Sequence, residues 1–378
     1  MKRIYLDYNA STPLDPQILP VLIKELENEW GNPSSIHFHG KECRKQLEKS
    51  RLTIARFFQV SPQEIIFTSG GTEGAALLIQ GILLQKTGAH VISSSAEHAC
   101  VYQMLKEMDK KVDVTFLSAG LRGAVLPEDV ERAILPETRL ITLMAVNNET
   151  GVKTDLEAIA ELAQSRQIPF IVDGVSWLGK EVIQIPAGVS GCFFSGHKIY
   201  APKGIGFCIC RKGLKLSPLF VGGGQEYNRR AGTENLPGIV ALAEAVEILH
   251  LNQDSMIAQM RKLRDHFEKQ LKAHLPDVVI NGSGPRVSNT SNLAFLGIDG
   301  ETLLMNLDRE GISVSHGSAC SSGALEPSRV LIEMGISLAQ ARSSLRFSLG
   351  RMTTEAEIES AIQIIVQEVK RLREIKNR

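Results

Sequence analysis

Four segments of the chain hold residues able to do chemistry. Ser69-Gly70-Gly71-Thr72-Glu73-Gly74 follows an apolar run and opens a helical pattern. Glycines there let the backbone approach an anion, and a helix start offers unpaired N–H groups at its positive end. The same residues also suit a capped helix with a tight turn. Asp173 closes the run Pro169-Phe170-Ile171-Val172. A carboxylate at that point suits a metal, a ribose hydroxyl or a pyridinium nitrogen, but no second carboxylate or His neighbours it, which weakens the metal reading. Lys198, in Ser195-Gly196-His197-Lys198, follows the next apolar run. A lysine at a strand end in a cleft can have a lowered pKa and form Schiff bases. Cys320 lies among small residues, Ser315 to Gly323, that make a poor core segment and a good loop. A thiol presented there is available as a nucleophile.

The elements around these segments set their positions. Short apolar runs (64–68, 90–94, 113–117, 139–146, 169–173, 192–195 and 205–210) alternate with helical patterns at 72–85, 99–108, 127–134 and 155–165. This alternation implies an α/β architecture with a largely parallel sheet covered on both faces. Ligands of such sheets bind beyond the carboxyl ends of the strands, where the glycine segment, Asp173 and Lys198 all fall. A lysine for a Schiff base, a carboxylate for a pyridinium nitrogen and a phosphate cup are together the requirements of a pyridoxal phosphate (PLP) site. From Pro237 the pattern changes to a long amphipathic helix, then shorter strand-like runs and a final helix. We expect a large domain over 13–250 and a small domain made of 1–12 and 251–378.

Composition narrows the classes further. Of 378 residues, 42 are Lys or Arg and 42 are Asp or Glu, so the net charge is zero. That balance gives no electrostatic reason to bind nucleic acid or an anionic membrane. No apolar run reaches the length of a membrane span, and Asp7 and Asn9 interrupt any secretory leader. Six scattered cysteines then read as reduced thiols of a cytoplasmic protein, with Cys208 and Cys210 as strand packing. Gly174 to Lys180 has P-loop spacing, but Glu181 stands where Ser or Thr should hold Mg²⁺. Ser195-Gly196-His197-Lys198 fits S-x-x-K, yet the chain has no S-D-N to complete an acyl-enzyme site.

Taken together, the motifs resemble the cysteine desulfurases, within the class V aminotransferases of fold type I. The resemblance runs from Tyr5–Pro13 and Gly31–His37 through Ser69–Glu73, Glu97-His98, Asn147–Gly151, Ser195–Lys198 and Pro202–Gly206. It continues through Gly222–Glu226, Arg230–Asn235, the Cys320 segment and Arg346–Arg351. It implies a seven-stranded, mainly parallel sheet in the large domain, a smaller α+β C-terminal domain, and the long-loop group of the family. By resemblance, Lys198 carries PLP, Asp173 pairs with its ring nitrogen, and His98 stacks on the ring and helps to move protons. Gly71, Thr72, Ser195 and His197 hold the phosphate, Thr233 reaches the phosphate of a neighbouring subunit, and Asn147 and Arg346 bind the substrate carboxylate. Cys320 takes sulfur from L-cysteine as a persulfide, releasing L-alanine. A homodimer and a sulfur-acceptor or iron–sulfur scaffold partner follow, and no metal is implied.

Two departures from the family pattern stand out. Ser176 occupies the place where a glutamine usually donates to the PLP phenolate oxygen, and Gly74-Ala75-Ala76 replaces more polar residues. Neither removes an essential group, so an active enzyme is expected. The rivals are a selenocysteine lyase, another class V enzyme, and a non-catalytic assembly subunit that retains PLP. The loop thiol argues against an aminotransferase, and the joint presence of Lys198, Asp173, His98 and Cys320 argues against a scaffold.

Overall fold

The structure is a computed structural model that describes residues 3–28, 30–84, 86, 88–108, 111–317 and 327–376. Its strands, in chain order, are β1 (Ile4–Tyr5), β2 (Ile65–Thr68), β3 (His90–Ser94), β4 (Asp113–Leu117), β5 (Thr138–Met144) and β6 (Phe170–Asp173). They continue with β7 (Gly191–Ser195), β8 (Gly206–Cys210), β9 (Val278–Ile280), β10 (Thr290–Phe295), β11 (Ile312–Ser313) and β12 (Ser344–Ser348). Among the described residues, seven of these form one sheet in the order β2-β8-β7-β6-β5-β3-β4. The pairs from β7 through β4 are parallel, and β8 runs against both β2 and β7. Strands β2, β3, β6, β7 and β8 are buried along their whole length. Burial on both faces explains why they read as continuous apolar runs rather than alternating ones.

The topology brings one set of strand ends together. Strands β2, β3, β5, β6 and β7 share a direction, so Thr68, Ser94, Met144, Asp173 and Ser195 end along one edge. The segments that follow them must therefore meet beyond that edge. Helix Gly71–Leu83 packs closely on β7 and β8: a Cβ at Gly74 would lie 2.8 Å from the Phe193 Cβ and 3.0 Å from the Cys208 sulfur. Gly74 is thus needed against the sheet, and its lost side chain would have faced Phe193 and Cys208. Cys208 and Cys210 are buried in β8, and none of the five described cysteines is in a disulfide.

The remaining strands form an antiparallel sheet, β12-β10-β9, and a parallel pair, β1-β11. Ile4, Leu6, Phe295, Phe347 and Ile365 belong to one buried cluster, separate from the cluster of Ile54, Phe170, Phe194 and Ile209. Helix Leu236–His274 enters both: Leu242 and Val246 pack in one, Leu263 and Phe267 in the other. Helices Ile18–Asn28 and Phe38–Phe58 also pack against this long helix, in a stretch where the sequence reading assigns no element. Among the described residues, no helix is long and apolar enough to cross a membrane.

Candidate active site

Beyond the shared strand edge lies a cavity of about 530 Å³. One end is the glycine segment, where Gly70 (φ +155°, ψ −173°) takes a backbone open essentially to glycine alone. Gly71 starts the helix, and a Cβ there would lie 2.9 Å from Val175 Cγ2. Thr72, Ser195 and His197 line the same end. Unpaired helix N–H groups, hydroxyls and an imidazole are the donor set that a phosphate requires. His197 is held from behind, with Nδ1 3.2 Å from Ser11 Oγ. Burial, helped by the charges of Lys198, Lys203 and Lys180, pushes it down to about 4, so it stays neutral near pH 7.

Asp173, Lys198 and His98 line the same cavity. Asp173 Oδ1 accepts the Val175 N–H at 2.9 Å, and burial pushes the carboxyl up to about 6 against the opposing effects of that bond and of Lys198. The Lys198 amine donates to the carbonyls of Asn9 and, at 2.8 Å, Ala10. His98 Nδ1 accepts the Cys100 N–H at 3.2 Å and lies 3.0 Å from the Cys100 sulfur. The proton of the neutral ring therefore sits on Nε2. Burial, reinforced by Lys198, Arg329 and Arg346, pushes His98 down to about 4.

Arg346 also lines the cavity. An isolated arginine in such a stretch is usually a surface charge, but this one is 1% exposed within β12. It donates to Asp7 Oδ1 at 2.8 Å and to the Asn148 carbonyl at 3.1 Å. Its Nε is buried with no hydrogen-bond partner, as is Asn148 Oδ1. Both residues line the cavity, so a guanidinium and a side-chain amide stand where an amino acid could meet them.

The expectation for Asn147 is corrected here. Its Oδ1 accepts from the Glu149 and Thr150 N–H groups at 3.0 Å each, and its Nδ2 donates to the Ala96 carbonyl at 3.2 Å. Those bonds fix the turn after β5 and leave Asn147 behind the wall; Asn148 is the asparagine in the cavity. Ser176 does line the cavity, whereas Thr233 is exposed and lies outside it. Cys320 falls outside the described residues.

The sequence reading passes over several residues in or just behind the wall. Asn9 and Ala10 hold the Lys198 amine, and Cys100 backs His98. Lys180, set aside with the false P-loop, is 5% exposed and donates to the Lys198 carbonyl at 2.5 Å. Burial and then Lys198 push it down to about 7. Lys180 lies 18 residues before Lys198 and is followed by Glu181, so no sequence pattern ties the two lysines together.

The residues present fit PLP. The cradle that a Cβ would fill, the buried carboxyl of Asp173, the lysine and the neutral His98 stand in one cavity, each suited to a different part of that molecule. A family model for the class-V aminotransferases matches residues 4–360. The chain is 38% identical to the cysteine desulfurase IscS of Dictyoglomus turgidum, covering 99% of this chain and 97% of that one. It is 40% identical to a cysteine desulfurase of Nostoc sp. strain PCC 7120, covering 99% and 94%. Among solved structures, a NifS-like protein superposes with a TM-score of 0.90 at 31% identity, covering 98% and 100%. The protein titled SspA in complex with cysteine gives 0.83 at 32%, covering 93% and 100%. A cavity built for PLP and likeness along nearly the whole chain converge, and the chain belongs to the class-V aminotransferases, as a PLP-dependent cysteine desulfurase.

Proposed function

We propose that the enzyme moves sulfur from L-cysteine to its own Cys320 as a persulfide and releases L-alanine, working as a cytoplasmic homodimer. The single observation that carries the site assignment is the convergence of Lys198, Asp173, His98, the glycine cup and Arg346 on one cavity. Bound PLP supplies an electrophilic carbon for the substrate amine and an electron sink for negative charge at Cα.

The chain does the rest. The Lys198 amine would hold the cofactor and, when free, would serve as the base for the Cα proton. Asp173 would pair with the ring nitrogen and favour a proton there. His98 would pack on the ring as a neutral imidazole. Arg346 meets the substrate carboxylate, and Asn148, beside it in the cavity wall, takes the role expected of Asn147. The Cys320 thiolate attacks the substrate sulfur: an S–S bond forms, the C–S bond breaks, and its electron pair stays with the carbon that leaves as alanine. Thr233 serves the phosphate of the second subunit, and its exposure outside its own cavity supports this. The recipient of the persulfide sulfur is an acceptor protein or an iron–sulfur scaffold. The two buried clusters support a large domain over 13–250 and a small one from 1–12 and 251–378, joined through helix Leu236–His274.

The test is alanine and protein persulfide counted from wild type and Cys320→Ala, with cysteine supplied. Turnover that is lost in the variant while PLP absorbance stays intact is expected. Alanine release undiminished in Cys320→Ala would overturn the assignment of the acceptor.

A further inference from the structure

Arg329 reaches from one part of the chain into the turn that carries His98 in another. It opens the short helix Arg329–Glu333. Its Nη1 donates to the Ser95 carbonyl, its Nη2 donates to the Glu97 carbonyl at 2.5 Å, and its guanidinium lies 3.9 Å from the ring centre of Tyr102. All three partners flank His98. Beside it, Ser328 Oγ donates to the buried Glu149 carboxylate and accepts the Leu331 N–H at 3.2 Å. Gly317 closes on the same point, since a Cβ there would lie 3.3 Å from the Ser328 Cβ and 3.8 Å from Glu149 Oε2. Gly317 and Ser328 therefore meet next to the Asn147–Thr150 turn, and Cys320 lies between them in sequence, three residues after Gly317.

The two bodies that Arg329 joins are unequally supported. The His98 turn holds itself: Ser94 Oγ accepts the Ala96 N–H at 3.1 Å, Glu97 Oε1 accepts the Met144 N–H at 2.9 Å, and His98 Nδ1 accepts the Cys100 N–H. Helix Arg329–Glu333 is five residues long, too short to be stable alone. It rests on a small apolar cluster in which Val330, Leu331 and Met334 meet Ala96 and Ala119. Loss of the guanidinium fork frees the helix more than the turn.

We propose that Arg329 is a positioning residue for sulfur transfer: its two-pronged grip on the Ser95 and Glu97 carbonyls fixes where the chain bearing Cys320 rejoins the site. This rests on the reading of Cys320 as sulfur acceptor. A fork matters because one guanidinium satisfies two carbonyls in fixed geometry, which an ammonium cannot do. A thiolate must also approach its target sulfur within a narrow range of distance and angle.

The test uses PLP-loaded, full-length Arg329→Met and Arg329→Lys in single turnover, read in two ways. Exchange of the cysteine α-hydrogen with deuterated solvent reports chemistry before sulfur transfer, and persulfide on Cys320, weighed by mass spectrometry, reports the transfer. In Arg329→Met, exchange should stay within about twofold while persulfide formation slows by about tenfold or more. Arg329→Lys should fall between it and wild type. Tyr102→Leu, which removes the ring beneath the guanidinium and leaves the fork itself, should shift the same ratio in the same direction by less, and it serves if Arg329→Met does not fold. Equal loss of both signals would make Arg329 a support of the His98 turn and overturn the proposal, as would unchanged persulfide formation. Wild type that exchanges but forms no persulfide would instead overturn the acceptor reading beneath it.

Discussion

Asp173 shows how a single residue trades stability for chemistry. Its carboxyl stands at about 6 in the fold against an ordinary 3.8, because burial disfavours the charged form. A folded value raised above the unfolded one means the folded state holds the proton more tightly. The contribution of Asp173 to the stability of the PLP-free enzyme is therefore full below about pH 4 and is lost as pH rises through about 6. The gap corresponds to about 3 kcal/mol at most. Asp173→Asn should accordingly stabilise the PLP-free protein by up to about 3 kcal/mol at pH 8 and hardly at all at pH 4, read by urea unfolding at both. The same variant should lose turnover by about a hundredfold or more. Stability unchanged at pH 8 would mean the carboxylate is already compensated without cofactor. At the cup, Gly71→Ala sets a methyl 2.9 Å from Val175. Equilibrium binding should show PLP affinity about tenfold weaker, or about 1.4 kcal/mol. Most of these residues were legible because each sits just after a buried strand, a position that sequence periodicity marks well. Asn147 and Asn148 were not separable that way. They are adjacent and identical, and only the direction of the turn after β5 decides which faces the cavity.

One element is held in an unusual backbone by a buried ion pair. Glu226, Tyr227 and Asn228 all have positive φ (46°, 58° and 63°), a run that costs on the order of 1–2 kcal/mol per residue. Glu226 accepts two bonds from Arg51, at 2.7 and 2.9 Å, and one from the Phe67 N–H at 2.8 Å. The Arg51 guanidinium lies 4.8 Å from the ring centre of Phe67 and 5.2 Å from that of Tyr227. The pair thus ties the segment before Thr233 to β2 and to helix Phe38–Phe58. Glu226→Ala leaves a buried guanidinium unpaired and should cost about 3–5 kcal/mol, with a smaller loss when Arg51→Met removes the second charge as well. Chemical denaturation of the single and double variants measures the difference; equal losses would show that the pair does not act as a unit. The same arginine explains why the sequence reading assigned no helix over Phe38–Phe58. Its buried face includes Gly40, Ser50 and Arg51 beside Leu47 and Ile54, so the apolar stripe that marks a helix is broken. The long helix Leu236–His274 keeps an apolar stripe and was read to within a residue or so.

At the scale of the molecule, the exposed apolar side chains offer a place for the proposed homodimer to form. Helix Ile18–Asn28 buries only Ile18 and Glu25, while Leu19, Ile23 and Leu26 stay exposed. Trp30, Ile36 and Phe38 follow at 72%, 85% and 70% exposure, in sequence directly after that helix. Side chains of this size concentrated in one stretch mark an interface more often than a free surface. Dimerisation and cofactor binding should then separate by mutation. Ile36→Glu with Phe38→Glu places charges where burial is expected, and sedimentation should show a monomer that also retains PLP poorly. Thr233→Ala should remain a dimer yet bind PLP about ten- to a hundredfold more weakly, the effect of one hydrogen bond to a charged group. PLP retention unaffected in the monomer would mean that each subunit completes its own cup from Gly71, Thr72, Ser195 and His197, and that Thr233 has no part in it.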